Sequence, residues 1–194
     1  MAEQRRAVFL DRDGTIGAEQ GYLRHAEHFR LQPGSGRAVR ALNEAGWLVV
    51  VITNQSGVDR GFIGPDALDA INAAMVAALA TEGATIDGIY ICRHAPWEDC
   101  DCRKPLPGLL RIAAADLNID LAASWMVGDK AADVGAGRNA GCRTAFLLSG
   151  WGRIERDWAP PSDLVCPDLA QAARAILDGD ARRAPPSTGQ TSRW

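Results

Sequence analysis

The sequence predicts an α/β fold on a central, mostly parallel sheet, and three observations carry that reading. Short apolar runs recur along the chain, segments of helical periodicity alternate with them, and polar or acidic clusters follow directly on several of the runs. The first run, Ala7 to Leu10, reads as a strand, and a helix is expected from about Ser35 to Ala45, ended by Gly46. Trp47 to Ile52 is the second strand. A helix then starts at Pro65, a favoured first helical position, and carries Leu68, Ile71, Met75 and Leu79 on one face before Gly83 stops it. Gly88 to Ile91, Trp125 to Val127 and Thr144 to Leu148 complete the strands. Further helices are expected after Pro107, with Leu110, Ala113, Ala114 and Leu117 in phase, after Lys130 and after Asp168. From Asp178 the chain turns to Arg, Pro, Ser, Thr and Gly, so residues 178–194 are expected to be a disordered tail on one domain spanning 1–177.

At 194 residues the chain can close one hydrophobic core unaided. The net charge is −3, with Lys and Arg scattered, so the basic stripe of a nucleic-acid binder is missing and a small substrate is expected. The apolar runs are far short of a membrane span and the N-terminus lacks a signal-peptide core, which makes a cytoplasmic, membrane-independent monomer the expectation. Three of the five cysteines crowd into Cys92 to Cys102, which argues for metal rather than disulfides.

Asp11 and Asp13 stand just past the first strand, in FLDRDGTI, where open α/β sheets build their sites. Two such close carboxylates repel unless a cation holds them, and hard oxygen ligands suit Mg²⁺. In phosphoryl chemistry one carboxylate attacks phosphorus while the other protonates the leaving oxygen and later activates water. An acidic turn ending a strand is the other reading of the motif alone. The second strand ends in Thr53, Asn54, Gln55, Ser56 and Gly57, donors able to grip phosphate oxygens or simply to cap a turn, and Arg60 follows as a further cation.

Cys92, His94, Cys100 and Cys102 supply three thiolates and an imidazole, the ligand set of a closed structural zinc site. Zinc there would fold a loop with little apolar content and aim Arg103 and Lys104, which follow at once. Asp129, in GDKAAD, offers a third anchor for the cation or a helix cap, and Asp133 one turn later is read as an acid that orients its neighbours. Gly34, Ser35 and Gly36 open like a dinucleotide fingerprint, but Val39 takes the third glycine position and no strand precedes them.

The ordered set DRDGT, TNQSG, CDCRKP and GDKAAD resembles the haloacid dehalogenase superfamily of aspartyl phosphatases from about Ala7 to Leu148. Within it the sequence is similar to the D,D-heptose 1,7-bisphosphate phosphatases and the related histidinol-phosphate phosphatases, which carry the CxH and CxC zinc loop. The resemblance implies a three-layer Rossmann-like fold with a minimal cap. It also implies a nucleophile at Asp11, a proton donor at Asp13, and Mg²⁺ on Asp11, Asp129 and the backbone carbonyl of Asp13. Thr53 and Lys104 would stabilise the transferring phosphoryl group. Substrate contacts fall on Arg12, Glu19, Gln20, Gly21, Tyr22, Asn54, Gln55, Ser56, Arg103 and Lys130. SGVDRG after TNQ, and GY after the first motif, favour the heptose branch, with a phosphorylated sugar as the partner.

Overall fold

Alternation of side chains along the first strand sets the layering. In the computed structural model, which describes residues 4–181, β1 (Ala7–Leu10) sends Val8 and Leu10 into one apolar layer and Ala7 and Phe9 into another. β2 (Leu48–Asn54) repeats the pattern, with Val49 and Val51 on one side and Leu48, Val50 and Ile52 on the other. Strands buried on both faces must be covered by helices on both, and they are. On the Val8 side lie α1 (Ser35–Glu44), α2 (Pro65–Thr81) and α6 (Leu169–Ala181); on the Phe9 side lie α3 (Gly108–Leu117) and α4 (Ala131–Ala140), and the single turn α5 (Gly152–Glu155) comes between α4 and α6 along the chain. The expected face of α2 is correct, since Leu68, Ile71, Met75 and Leu79 are all buried.

The sheet adds β3 (Gly88–Cys92), β4 (Trp125–Gly128), β5 (Arg143–Leu147) and β6 (Leu164–Cys166), in the order β3-β2-β1-β4-β5-β6 with every neighbouring pair parallel. From β1 the chain steps outward through β2 and β3, then crosses back to lay β4 on the other side of β1. Strand order reverses between β1 and β4, so a crevice opens beyond their carboxyl ends, and an aspartate follows each strand there. The connections at that edge are loops: residues 11–34 hold only the short 3-10 turn Ala26–His28, and no domain is inserted.

Two features differ from the sequence expectation. β6 is a three-residue edge strand whose middle residue, Val165, is exposed, so it has neither the length nor the buried run that marks the other strands. The tail was expected from Asp178, yet α6 continues through Ala181 and Arg6 forms an ion pair with Asp180; the rest of the expected tail lies outside the described residues. Among the described residues no helix is long and apolar enough to cross a membrane.

α4 reaches the sheet through Gly137, where an added Cβ would come 2.7 Å from both Met126 Cβ and Thr144 Cγ2. Both neighbours sit on rigid central strands, so Gly137→Val should lower stability by about 1–3 kcal/mol through overpacking. Urea unfolding should show a lower midpoint with an unchanged m value.

Candidate active site

At the crevice the backbone of Asp11 donates to Val127 O at 3.0 Å, locking the end of β1 to the end of β4. Asp11, Asp129 and Asp133, all buried, bring one carboxylate oxygen each within 4.8 Å of one another. Gly14, at φ 88°, turns the chain so that its bare Cα rests on the Asp129 carboxylate, which a Cβ would overlap. Asp129 in turn accepts the Trp151 backbone N–H at 2.8 Å. Asp133 Oδ2 accepts the Lys130 N–H at 2.9 Å, so Asp133 rather than Asp129 closes the first turn of α4.

Lys104 enters this acidic cluster from the loop after β3. Its ammonium lies 2.7 Å from Asp11 Oδ1, 2.6 Å from Asp133 Oδ1 and 2.7 Å from Ile52 O. Asn54 fixes the approach by a reciprocal pair, Nδ2 to Lys104 O and Lys104 N–H to Oδ1, each 3.1 Å. Gln55 Nε2 donates at 2.8 Å to both Thr53 Oγ1 and Asp13 Oδ2. Asp11, Asp13, Thr53, Asn54, Lys104, Lys130 and Asp133 thus line a small chamber of roughly 40 Å³.

The chamber opens into a cleft of roughly 400 Å³ lined by Glu19, Gly21, Tyr22, Gln55, Ser56 and Arg103 among others. Lys130 donates to Glu19 at 3.1 Å across it, and Glu19 also accepts the Gly21 N–H at 2.7 Å. Two expected contact residues lie elsewhere. Arg12 is fully buried and turned from the cleft, forked onto Asp13 at 2.8 and 3.1 Å and donating to Asn72 of α2 at 2.9 Å. Gln20 is exposed and donates to His28 O at 3.0 Å. In a loop that leaves a strand the direction of each side chain depends on distant partners, here Asn72 and His28. The sequence reading also missed Trp151 and Glu155, which line the cleft from beyond β5, where the only signal was the fifth apolar run ending at the same sheet edge. A cavity of roughly 460 Å³ behind the Ser149 turn, lined by Gln32, Leu148, Arg153 and Asp168, holds none of these groups.

Cys92, His94, Cys100 and Cys102 converge beside the cleft, with Cys92 Sγ 3.6 Å from His94 Nδ1 and 4.0 Å from Cys100 Sγ, and His94 Nδ1 3.2 Å from Cys102 Sγ. A tetrahedral ion with sulfur ligands at about 2.3 Å needs ligand atoms about 3.8 Å apart, so the cluster fits one. Burial raises the Cys92 thiol, whereas the Cys100 thiol, despite its own burial, is drawn down by the backbone N–H of Arg103 and by neighbouring sulfurs. Arg103, on the same loop, donates to His94 O at 3.3 Å and reaches the cleft.

The family model described as HAD-hyrolase-like matches residues 101–172. A D-glycero-β-D-manno-heptose-1,7-bisphosphate 7-phosphatase of Yersinia pestis is 40% identical over 177 residues, 88% of this chain and 94% of its own length. The enzyme of the same name from Escherichia coli K12 is 39% identical over 183 residues, 91% of this chain and 96% of its own. The chain belongs to the HAD-like hydrolases, in the family of these heptose bisphosphatases. A crystal structure of the D,D-heptose 1,7-bisphosphate phosphatase from B. bronchiseptica, complexed with magnesium and phosphate, superposes with a TM-score of 0.85 at 37% identity, covering 90% of this chain and 99% of that one.

Charge balance in this HAD-like site follows from its burial. Burial alone would raise Asp11, but the charges of Lys104 and Lys130 hold its carboxyl below the ordinary range. Burial would lower Lys104, yet Asp11 and Asp133 hold its ammonium above its usual value. Three acids face two amines, and the deficit falls on Asp133 and Asp129. Asp133 is pushed up to about 6 by burial and Asp11 against the pull of Lys104. Asp129 is pushed up to about 8 by burial, Asp11 and Asp133 against Lys130. A cation among the three carboxylates would supply the missing charge, so the donor set fits a hard divalent ion.

Because the folded form of Asp129 holds its proton far above the ordinary carboxylate value, its contribution to stability is complete at low pH and is lost as pH rises towards about 8. In chelator, Tm should therefore fall between about pH 5 and pH 8.5, while Asp129→Asn should flatten that slope. Asp11, shifted the other way, acts only at more acid pH. Thermal scans of both proteins in EDTA across that window check this, and equal slopes would contradict it.

Proposed function

We propose that the protein hydrolyses the 7-phosphate of D-glycero-β-D-manno-heptose 1,7-bisphosphate through an aspartyl-phosphate intermediate. The observation that carries the proposal is the chamber itself. A nucleophile-competent Asp11, the acid Asp13, the hydroxyl of Thr53 and the ammonium of Lys104 surround a small space of roughly 40 Å³, with a cleft of roughly 400 Å³ outside it for a sugar. The relatives that match nearly the full chain are named for this substrate.

Lys104 keeps Asp11 ionised, which is the form a nucleophile needs. An Asp11 oxygen forms a bond to phosphorus as the bond to the sugar oxygen breaks, and Asp13 gives its proton to that oxygen. Thr53 Oγ1 and Lys104 Nζ stabilise the negative charge on the transferring group. Water then attacks the aspartyl phosphate, Asp13 takes the proton it loses, and Asp11 is regenerated as inorganic phosphate departs. Gln55 and Arg12 hold the Asp13 carboxylate between these two transfers. Asp11 and Asp129, with the Asp13 carbonyl, would hold Mg²⁺, which when bound neutralises phosphate oxygens and orients the group for in-line attack. Cys92, His94, Cys100 and Cys102 would hold a structural Zn²⁺. In the cleft, Glu19, Lys130, Ser56, Tyr22 and Arg103 supply acceptors and donors for sugar hydroxyls and for the phosphate that is kept.

Asp11→Asn should abolish turnover with folding retained, and Asp13→Asn should lower kcat by about 10²–10⁴. Steady-state assays with both anomers of the heptose bisphosphate and with histidinol phosphate test the substrate. A higher kcat/KM for histidinol phosphate would place the chain in the other branch.

Metal analysis should return one zinc per chain that survives dialysis. Stripping it should lower Tm and raise KM for the bisphosphate, because Arg103 loses its anchored loop. A zinc-free protein with the same Tm and KM would refute the structural role.

A further inference from the structure

Arg60 takes no part in the chamber and does not line the cleft, yet its guanidinium, on an exposed residue, meets three aromatic side chains. Nη1 donates to the Tyr22 hydroxyl at 2.5 Å, and the guanidinium carbon sits 5.5 Å from the Tyr22 ring centroid, 4.8 Å from that of Phe62 and 5.6 Å from that of Trp97. Tyr22 and Phe62 also pack on each other at 4.9 Å. These three aromatic residues come from three different loops: Tyr22 follows β1, Phe62 follows β2 along with Arg60, and Trp97 lies between the metal-ligating His94 and Cys100. The Tyr22 ring can approach because Gly57 has no Cβ, which would stand 2.8 Å from Tyr22 Cδ1. Trp97 is 73% exposed and Tyr22 41%, so neither ring is held by burial in the core. Only Tyr22 of the four lines the cleft.

We infer that Arg60 is a positioning residue for substrate selectivity, pinning Tyr22, the outer wall of the cleft, to the loop after β2 and to the cysteine-rich loop. This deepens the proposed function and rests on it. A chain with no inserted domain over its site must fix the sugar with loops, and a loop wall discriminates only if it is held in place. Cationic stacking on aromatic faces with a hydrogen bond to the phenol does this without a buried core.

The test compares the heptose bisphosphate with acetyl phosphate, which fills the inner chamber and little else. Arg60→Ala should raise KM for the bisphosphate about tenfold, the size of one well-placed side-chain contact, with kcat nearly unchanged and acetyl phosphate turnover within about twofold of wild type. Tyr22→Phe, which removes only the hydroxyl, should raise the same KM by less, and the double variant should be no worse than Arg60→Ala alone. Arg60→Lys keeps the charge without the planar fork and should not rescue. The pin is overturned if Lys restores the wild-type KM while Tyr22→Phe has no effect, since Arg60 would then act as a charge on the substrate. Equal losses on both substrates would overturn it too, as a sign of general structural damage. Wild-type protein that fails to hydrolyse the heptose bisphosphate at all would instead remove the underlying function.

Discussion

The site is organised around one buried ammonium set between two buried carboxylates. Lys104 reaches Asp11 and Asp133 at 2.7 and 2.6 Å with almost no exposure on any of the three side chains. Ions taken out of water are costly, and the arrangement persists only because each finds an opposite charge at contact distance. Removing Lys104 would leave two uncompensated acids beside a third, a loss of about 3–5 kcal/mol. The same pairing explains the chemistry. Asp11, against its burial, is held below the ordinary carboxylate range by Lys104 and Lys130, and Asp129, joined to no amine by an ion pair among the described residues, is driven up to about 8 and so is the group most relieved by a divalent cation. Repulsion that would destabilise an ordinary core becomes affinity for a metal.

Those charges meet because of sheet topology. Asp11 and Asp129 belong to loops separated by more than half the chain, and they become neighbours only because β4 lies beside β1 in the order β3-β2-β1-β4-β5-β6. Thr53 arrives from β2 on the other flank, and Lys104 from the loop that leaves β3. Four strand ends therefore feed one chamber, and the glycines at 14 and 150 let the loops close on Asp129 from two sides.

Much of this was legible in the sequence because strand ends are legible. A buried parallel strand is a short apolar run, and the polar residues that follow it must lie at the sheet edge, so Asp11, Thr53 and Asp129 could be assigned to one crevice from their position alone. Side chains farther along each loop were not legible in the same way. Arg12 sits between two site aspartates in sequence, yet it faces α2, because Asn72, sixty positions on, is the partner that satisfies its buried guanidinium. Asp133 was read as an orienting acid, and its direct ion pair with Lys104 could not be seen because helical spacing reports neighbours along α4 and nothing of a loop that follows β3. β6 escaped because a half-exposed edge strand needs no apolar run, and Trp151 because its contribution to the site is mainly a backbone N–H, which any residue carries.

The division between strand ends and loops also divides the inner chamber from the outer cleft. Residues that line the chamber lie close to a strand end or are clamped by buried ion pairs, so their geometry is set by the core. Residues of the outer cleft, Glu19, Tyr22, Ser56 and Arg103, stand on loops whose order comes from local devices: a Lys130 to Glu19 pair, a guanidinium among aromatic rings, and a cysteine-histidine cluster. The aromatic and cysteine-histidine devices can be altered without disturbing the buried charge balance, whereas Lys130 belongs to both. A fold of this kind can therefore change the molecule it accepts while keeping the bond it breaks.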